Sequence, residues 1–160
     1  MNGPVVVTTF PARRVAFMRY TGPYGSGTIG DLWRRFEAWR LAHGLSAANG
    51  RVLGVAQDNP NITPPELTRY DACVEVDDDF RPDDQVGIQV VRGGRFACVR
   101  FHGTVDQNRA AWVRFLTRTL PEAGLVPDLA PAIEIYDAGP TVDTQTGALT
   151  CQLCMPLRSD

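Results

Sequence analysis

Glu134 is the residue whose type and position most clearly suggest chemistry. It lies in the apolar segment 132–136 (AIEIY), where a carboxylate is costly unless a charge or hydrogen bonds compensate it. Because side chains alternate along a strand, Tyr136 is on the same face as Glu134 and can offer a ring wall or a hydroxyl. The segment therefore predicts a pocket in which the carboxylate binds a cationic or polarised aromatic ligand.

Aromatic side chains are the second requirement of a pocket for flat cations, because the face of a ring attracts positive charge. Tyr70 begins a predicted strand and Tyr24 lies in a glycine-rich loop, so these two are the strongest candidates. The predicted ligand-binding residues are Glu134, Tyr136, Tyr20, Tyr24, Tyr70, Phe101 and Trp112. Trp33, Phe36 and Trp39 recur at helical spacing and are assigned to core packing.

Two other interpretations of Glu134 remain open. The carboxylate can form an internal ion pair with a strand arginine such as Arg19 or Arg100, which would make it structural. It can instead act as a general base beside a tyrosine donor, with Glu134 and Tyr70 as the catalytic residues of a hydrolase. A Ser-His or Cys-His mechanism has little support, because neither histidine of the chain lies near a recognisable nucleophile motif.

The cysteines are interpreted as small buried hydrophobes. Cys151 and Cys154 form a C-x-x-C, but residues three apart on the predicted strand 149–157 face opposite ways and cannot easily share one ion. No export signal opens the chain, so reduced thiols are expected for these two and for Cys73 and Cys98. Neither a metal nor a cofactor is predicted.

Composition narrows the class of protein. The chain has 160 residues, with 16 arginines, no lysine, 18 acidic residues and a formal charge of −2. A near-neutral chain lacks the net basic face that binding to nucleic-acid phosphates needs. No apolar run reaches the roughly 18 residues of a membrane helix. We expect a cytoplasmic globular protein with no direct nucleic-acid or membrane partner.

An internal repeat organises the chain. Residues 14–22 (RVAFMRYTG) align with residues 95–103 (RFACVRFHG) at an offset of 81, with four of nine positions identical. Three further blocks match in the same order at offsets of 80 or 81: 43–45 with 123–125, 54–60 with 134–140, and 72–76 with 153–157. The pattern predicts a duplication, in which Gly54 stands where the second copy has Glu134.

Each copy is predicted to be a strand–helix–strand–strand unit. The predicted strands are 14–20, 52–57 and 69–76 in the first copy, 95–101, 132–137 and 149–157 in the second, with extra strands at 5–10 and 86–91. The helix of each copy ends at Gly44 or Gly124, where glycine can take the left-handed conformation. Thr104 and Gln107 form a predicted capping box before the second helix.

The predicted fold class is α+β, a duplicated strand–helix–strand–strand unit with pseudo-two-fold symmetry whose antiparallel sheets frame a central pocket. Residues 1–160 are expected to form a single domain. Within it, repeat 1 covers about 4–76, repeat 2 covers about 86–158, and the acidic segment 77–85 is a solvated linker.

An ordered set of short segments carries a family resemblance over essentially the whole chain. The segments are 20–24 (YTGPY), 54–60 (GVAQDNP) with Thr63-Pro64, 69–73 (RYDAC), 93–97 (GGRFA) with His102-Gly103, 132–136 (AIEIY) and 153–157 (LCMPL). Together they resemble the GyrI-like small-molecule-binding family, also seen as the effector-binding domain of AraC-type and BmrR-type multidrug regulators. The resemblance implies that Glu134 is the acid that contacts the ligand.

The resemblance and the residues leave three functions open. The first is a stand-alone pocket, without a helix-turn-helix, that senses or sequesters aromatic and cationic or electrophilic compounds, such as drugs or toxins. The second, implied by some family members, is a hydrolase that detoxifies cyclopropane-bearing, DNA-alkylating metabolites with Glu134 and a tyrosine. The third is modulation of DNA gyrase, which follows from named family members only.

Overall fold

A computed structural model describes residues 3–24, 27–45, 51–136 and 147–159. That part of the chain contains eight strands and several helical segments. The strands are β1 (Val6–Phe10), β2 (Arg13–Thr21), β3 (Val52–Ala56), β4 (Arg69–Glu75), β5 (Gly87–Val91), β6 (Gly94–Thr104), β7 (Ala132–Tyr136) and β8 (Ala148–Pro156). The long helices are α1 (Gly27–Ala42), which follows β2, and α2 (Val105–Arg114), which follows β6.

Helix α2 continues as a π-helical segment, Phe115–Thr119, and a last turn, α3 (Leu120–Glu122). The π-helical segment ends just before Pro121, whose ring and missing N–H disrupt an ordinary helical hydrogen-bond ladder. A single 3₁₀ turn, Pro65–Leu67, precedes β4. None of the helices in the described residues is long and apolar enough to cross a bilayer.

The strands form one antiparallel sheet in the order β1-β6-β8-β7-β3-β4-β2-β5. The sequence predicted separate sheets that frame a pocket, and this part of the prediction is wrong. Strands β3 and β7 pair directly, with Gly54 opposite Glu134, so the two halves share a single sheet. The α+β class and every predicted strand are confirmed to within a few residues, although Asp137, the predicted end of β7, lies outside the described residues.

The sheet must curl, because two short connections join its opposite ends. Only Pro11 and Ala12 link β1 to β2, and three residue steps reach about 11 Å at most. In a flat sheet of this order the two strands would be roughly 29 Å apart, at about 4.8 Å per strand. The turn between β5 and β6 contacts the same connection, since a Cβ on Gly93 would lie 2.5 Å from the Ala12 nitrogen.

Curling gives the sheet two different faces. The inner face packs against itself, and its buried residues include Phe10, Val15, Leu53, Ile135 and Cys154. The helices cover the other face, where Leu32 and Phe36 of α1 and the helical residues Phe115 and Leu120 are almost fully buried. The sheet therefore needs no helix on its inner face, and α1 and α2 are both available to flank the centre of the opposite one.

Both helical segments stop as predicted. Gly44 and Gly124 have φ angles of 67° and 70°, and the following leucines donate their backbone N–H groups to the carbonyls of Arg40 and Leu120. These are the bonds of a Schellman cap. The predicted capping box is also present, because Thr104 and the Gln107 side chain satisfy each other's backbone N–H groups.

The cap of α1 provides a test of this geometry. Gly44→Ala is expected to lower the free energy of unfolding by about 1–2 kcal/mol, because alanine is strained at a left-handed φ. The matched control is Gly30→Ala inside the same helix, where the nearest atom to a new Cβ would be 3.8 Å away. That change should raise stability by about 0.5–1 kcal/mol. Urea unfolding of both variants measures the contrast, and equal effects would contradict the assignment.

Candidate functional site

Glu134 lies at the middle of the sheet, on β7, and its side chain is only partly exposed. Three neutral donors hold its carboxylate. Trp112 donates its indole N–H to Oε2 at 3.0 Å, and the hydroxyls of Tyr136 and Tyr70 donate to Oε1 at 3.1 and 3.3 Å. A fourth aromatic residue, Trp33, donates to the Tyr70 hydroxyl at 3.3 Å. We call these five residues the Glu134 cluster.

The elements of the fold explain how the Glu134 cluster assembles. Alternation along β7 places Tyr136 on the same face as Glu134. Helices α1 and α2 each contribute one tryptophan, Trp33 and Trp112, and both indoles are partly exposed. Tyr70 and Tyr136 are buried to 7% and 5% exposure. Two buried phenols and two partly exposed indoles thus surround the carboxylate.

Gly54 makes room for Tyr70 to reach Glu134. Tyr70 lies on β4 opposite Ala56, and its ring extends diagonally over Gly54 toward β7. A Cβ added to Gly54 would lie 2.0 Å from the Tyr70 hydroxyl oxygen and 3.4 Å from Oε1 of Glu134. Packing therefore requires a glycine at position 54, since the carboxylate and the phenol meet where a side chain is missing.

Ring contacts connect the cluster to its surroundings. Trp33 makes edge-on contacts with Tyr136 and Tyr70, at centroid distances of 5.4 and 6.3 Å. Tyr24 packs edge-on against Tyr70 at 6.4 Å and hydrogen-bonds the Arg69 carbonyl. Trp33 packs against the helix-covered core as its helical spacing predicted, and its hydrogen bond to Tyr70 is a further contact that the spacing did not predict. The signal available in the sequence was that a partly buried indole N–H requires an acceptor.

The remaining predicted residues lie away from the carboxylate. Tyr20 pairs with Tyr70 across the strands, but its hydroxyl donates to the Pro23 carbonyl at 3.2 Å. Phe101 is buried on β6 within the helix-covered core, and neither residue hydrogen-bonds Glu134. The structure thus brings Tyr70, Tyr136 and Trp112 to the acid, and Tyr24 next to them.

An internal ion pair does not explain Glu134. Arg19 binds Asp71 through two bonds of 2.8 and 2.9 Å on the inner face. Arg100 is exposed, and its strand neighbours Val99 and Phe101 belong to the helix-covered core, so its side chain is on the opposite face from Glu134. Within the described residues no basic side chain forms an ion pair with the Glu134 carboxylate.

Burial raises the pKa values of Tyr70 and Tyr136 well above the ordinary range of a phenol, and the negative charge of Glu134 raises them further. Both hydroxyls therefore remain protonated in neutral and mildly alkaline solution. They act as donors to the carboxylate, not as bases.

A separate groove lies on the inner side of the sheet. Its volume is about 180 Å³, and its lining includes Val55, Gln57, Gln89, Val91 and Phe96. This groove does not include Glu134 or any other member of the Glu134 cluster. We assign the candidate site to the cluster, because the charge without a basic partner is there.

An α+β domain that surrounds a carboxylate with aromatic donors has the composition expected of a small-molecule-binding domain. Residues 4–158 match the profile of the GyrI-like small molecule binding domain. The chain belongs to this family.

Two named relatives are similar to this chain over most of its length. A prophage-derived protein of Bacillus subtilis (strain 168) named as a transcriptional regulator, YosT, is 28% identical over 132 residues, which cover 82% of this chain and 87% of that protein. A DNA gyrase inhibitor of Yersinia enterocolitica is 29% identical over 128 residues, covering 78% and 80%.

Solved structures share the fold. The C-terminal domain of EcmrR has a TM-score of 0.74 at 15% identity, with 98% of both chains covered. SAV2435, solved bound to tetraphenylphosphonium, has a TM-score of 0.66 at 12% identity, covering 98% of this chain and 95% of that one.

The close approach at Gly54 yields a testable consequence. Gly54→Ala is expected to displace the Tyr70 ring and to lower the free energy of unfolding by about 1–3 kcal/mol through overpacking. In a Tyr70→Phe background the new methyl group no longer meets a hydroxyl, so the same substitution should cost less. A double-mutant cycle measured by urea unfolding gives this difference. Additive costs would show that the glycine is needed for another reason.

The raised phenol pKa values imply a specific alkaline effect. A phenol whose pKa is higher in the folded than in the unfolded chain contributes stability that is fully present below about pH 10 and is lost as the pH rises above it. We expect the thermal midpoint to fall between about pH 9.5 and 11.5, and to fall less in the Tyr70→Phe/Tyr136→Phe variant. The chain has no lysine to obscure this window. Parallel curves for the two proteins would contradict the assignment.

Proposed function

We propose that the protein binds small aromatic cations in the cleft of the Glu134 cluster. The observation that carries the proposal is a half-buried carboxylate whose donors, in the part of the chain that the structure describes, are all uncharged. Hydrogen bonds from phenols and an indole stabilise the negative charge but do not cancel it. A cationic ligand supplies the missing charge, and the interaction is stronger in a partly desolvated cleft than in water.

The walls of the cleft suit a flat or aryl-substituted cation. Trp33 and Trp112 lie on either side of the carboxylate, and indole faces are the best cation-binding surfaces among the aromatic side chains. Both indoles donate hydrogen bonds into the cluster. A ligand that reaches Glu134 must therefore shift at least the Trp112 indole, whose bond to Oε2 the ligand's charge replaces.

The likeness to a structure solved with tetraphenylphosphonium supports this ligand class, since that compound is an aryl-substituted cation. The likeness itself concerns the fold, and the argument for a cation rests on the charge at Glu134. Whether the cleft senses or sequesters such compounds depends on partners outside this chain.

Glu134→Gln provides the direct test, because glutamine keeps the shape of the side chain and removes its charge. We expect the affinity for tetraphenylphosphonium to fall at least about tenfold, about 1.4 kcal/mol, because the substitution removes the Coulombic attraction between the carboxylate and a cation that has no hydrogen-bond donor. The measurement is isothermal titration calorimetry at neutral pH.

Two controls make the result specific. Glu66→Gln removes the same charge from the exposed turn before β4 and should leave affinity unchanged. Triphenylphosphine oxide, an uncharged compound with similar rings, should bind both proteins equally weakly. Equal binding of the cation by wild type and Glu134→Gln would refute the proposal.

Hydrolysis is a second candidate, favoured by one observation. Protonated hydroxyls of Tyr70 and Tyr136 lie within 3.3 Å of the same carboxylate oxygen. A carboxylate that activates a water and a phenol that donates a proton can together open a strained cyclopropane ring by general acid–base catalysis. In this case Glu134 and Tyr70 are the catalytic residues.

Mass spectrometry of the recovered compound separates the two candidates. A binding protein returns a cyclopropane-bearing alkylating compound unchanged, whereas a hydrolase returns it with one water added. In the second case Glu134→Gln and Tyr70→Phe should reduce kcat more than they raise KM. Unchanged compound after prolonged incubation with excess protein would exclude the hydrolase for that substrate.

Two further sequence predictions remain proposals. The duplication is supported by the strand order. If β1 exchanges places with β5, β2 with β6, β3 with β7 and β4 with β8, the sheet keeps the same strand order, read from its opposite edge. Modulation of DNA gyrase is supported by the name of the Yersinia enterocolitica relative. Such a role would use the surface of the domain and would tolerate Glu134→Gln.

A further inference from the structure

Two of the buried cysteines are direct partners across neighbouring strands. Cys98 on β6 lies opposite Cys154 on β8, and both side chains belong to the inner-face core. Antiparallel partners have Cα atoms about 4.5–5.5 Å apart, within the range of about 4.4–6.8 Å that a disulfide spans. The other two cysteines have no such arrangement, since Cys73 faces Leu53 and Phe17 across its strands and Cys151 faces Phe101.

A buried guanidinium accompanies this pair. The Arg13 side chain is 5% exposed, and within the described part of the chain its Nη1 has no hydrogen-bond partner. Its Nε is 3.9 Å from a Glu75 oxygen, and its charge acts on both thiols. A buried N–H without an acceptor is costly, and a negatively charged sulfur would supply one.

The two thiols have different environments. A hydrogen bond from Cys154 lowers the pKa of the Cys98 thiol, the Arg13 charge and the Thr8 hydroxyl act in the same direction, and burial opposes them. The same hydrogen bond, together with burial, raises the pKa of Cys154. Cys98 is therefore the better nucleophile, and Cys154 keeps its proton.

We propose that Cys98 and Cys154 form a redox pair that a peroxide oxidises to a cross-strand disulfide. The Cys98 sulfur attacks one peroxide oxygen, the O–O bond breaks, and hydroxide leaves beside Arg13. The resulting sulfenic acid is then attacked by the Cys154 sulfur, which forms the S–S bond and releases water. In total two thiols lose two electrons and two protons, and one peroxide becomes two waters.

The edge of the sheet gives a route for the oxidant. Strand β1 covers β6, with Val6 opposite Cys98, and it pairs with no other strand of the described sheet. Edge strands open locally at lower cost than central ones. The site is separate from the Glu134 cluster, because Cys98 and Cys154 are on the inner face and the cluster is on the helix-covered face.

Exposure of the folded 160-residue chain to a tenfold excess of hydrogen peroxide at pH 7 tests the proposal. After the peroxide is removed and the remaining thiols are alkylated in denaturant, which exposes the buried Cys73 and Cys151, we expect the intact mass to show one disulfide and two alkylated cysteines. Tryptic mapping should link peptide 96–100 to peptide 119–158. Since that second peptide contains both Cys151 and Cys154, the Cys151→Ser variant should still form the link.

Variants with one partner removed complete the test. Cys98→Ser and Cys154→Ser should form no disulfide, and Cys73→Ser should behave as wild type. Arg13→Gln should slow the reaction about tenfold, the effect of raising the pKa of the attacking thiol by about one unit, whereas the exposed Arg81→Gln should not. Four alkylated thiols in wild type, a link through another cysteine, or only irreversible oxidation of Cys98 would each overturn the proposal. The wild-type result decides the matter even if a variant does not fold.

Discussion

One constraint organises this molecule: a carboxylate lies at the centre of its sheet, and no basic side chain among the described residues pairs with it. Every group that touches Glu134 is neutral, and each is held by a different element, α2 for Trp112, β4 for Tyr70 and β7 for Tyr136. Four hydrogen bonds together offset the cost of partly burying this charge: three donate to Glu134, and the fourth, from Trp33, positions Tyr70. These hydrogen bonds stabilise the cluster, which keeps the net negative charge of Glu134.

Closure of the sheet makes such a site possible. The short connections between β1 and β2 and between β5 and β6 bring the ends of the sheet together, so the inner face buries its own apolar side chains. Neither helix is needed there. Both pack on the other face instead, α1 against β2 and β4 and α2 against β6 and β8. The β3–β7 pairing, where Gly54 meets Glu134, lies between them.

The two faces treat charge differently. On the inner face Asp71 is fully buried and receives hydrogen bonds from Arg19, Gln57 and Gln89, so its charge is neutralised by a basic group and an amide network. On the helix-covered face the donors to Glu134, within residues 3–24, 27–45, 51–136 and 147–159, are all aromatic side chains. A neutralised carboxylate supports the fold, whereas one without a counter-ion has charge available for a ligand, and this contrast directs the functional interpretation to the cleft.

The sequence alone determined the local features of this protein. Strand positions, the caps at Gly44 and Gly124, the capping box at Thr104 and the location of Glu134 on an apolar strand all follow from patterns within a few residues, because alternation, glycine conformation and burial cost are local properties. The tertiary structure decided what lies next to what. The single curled sheet, the role of Trp33, the engagement of Arg19 by Asp71 and the pairing of Cys98 with Cys154 depend on which strands become neighbours. That choice results from packing across the whole chain, and no short segment contains it.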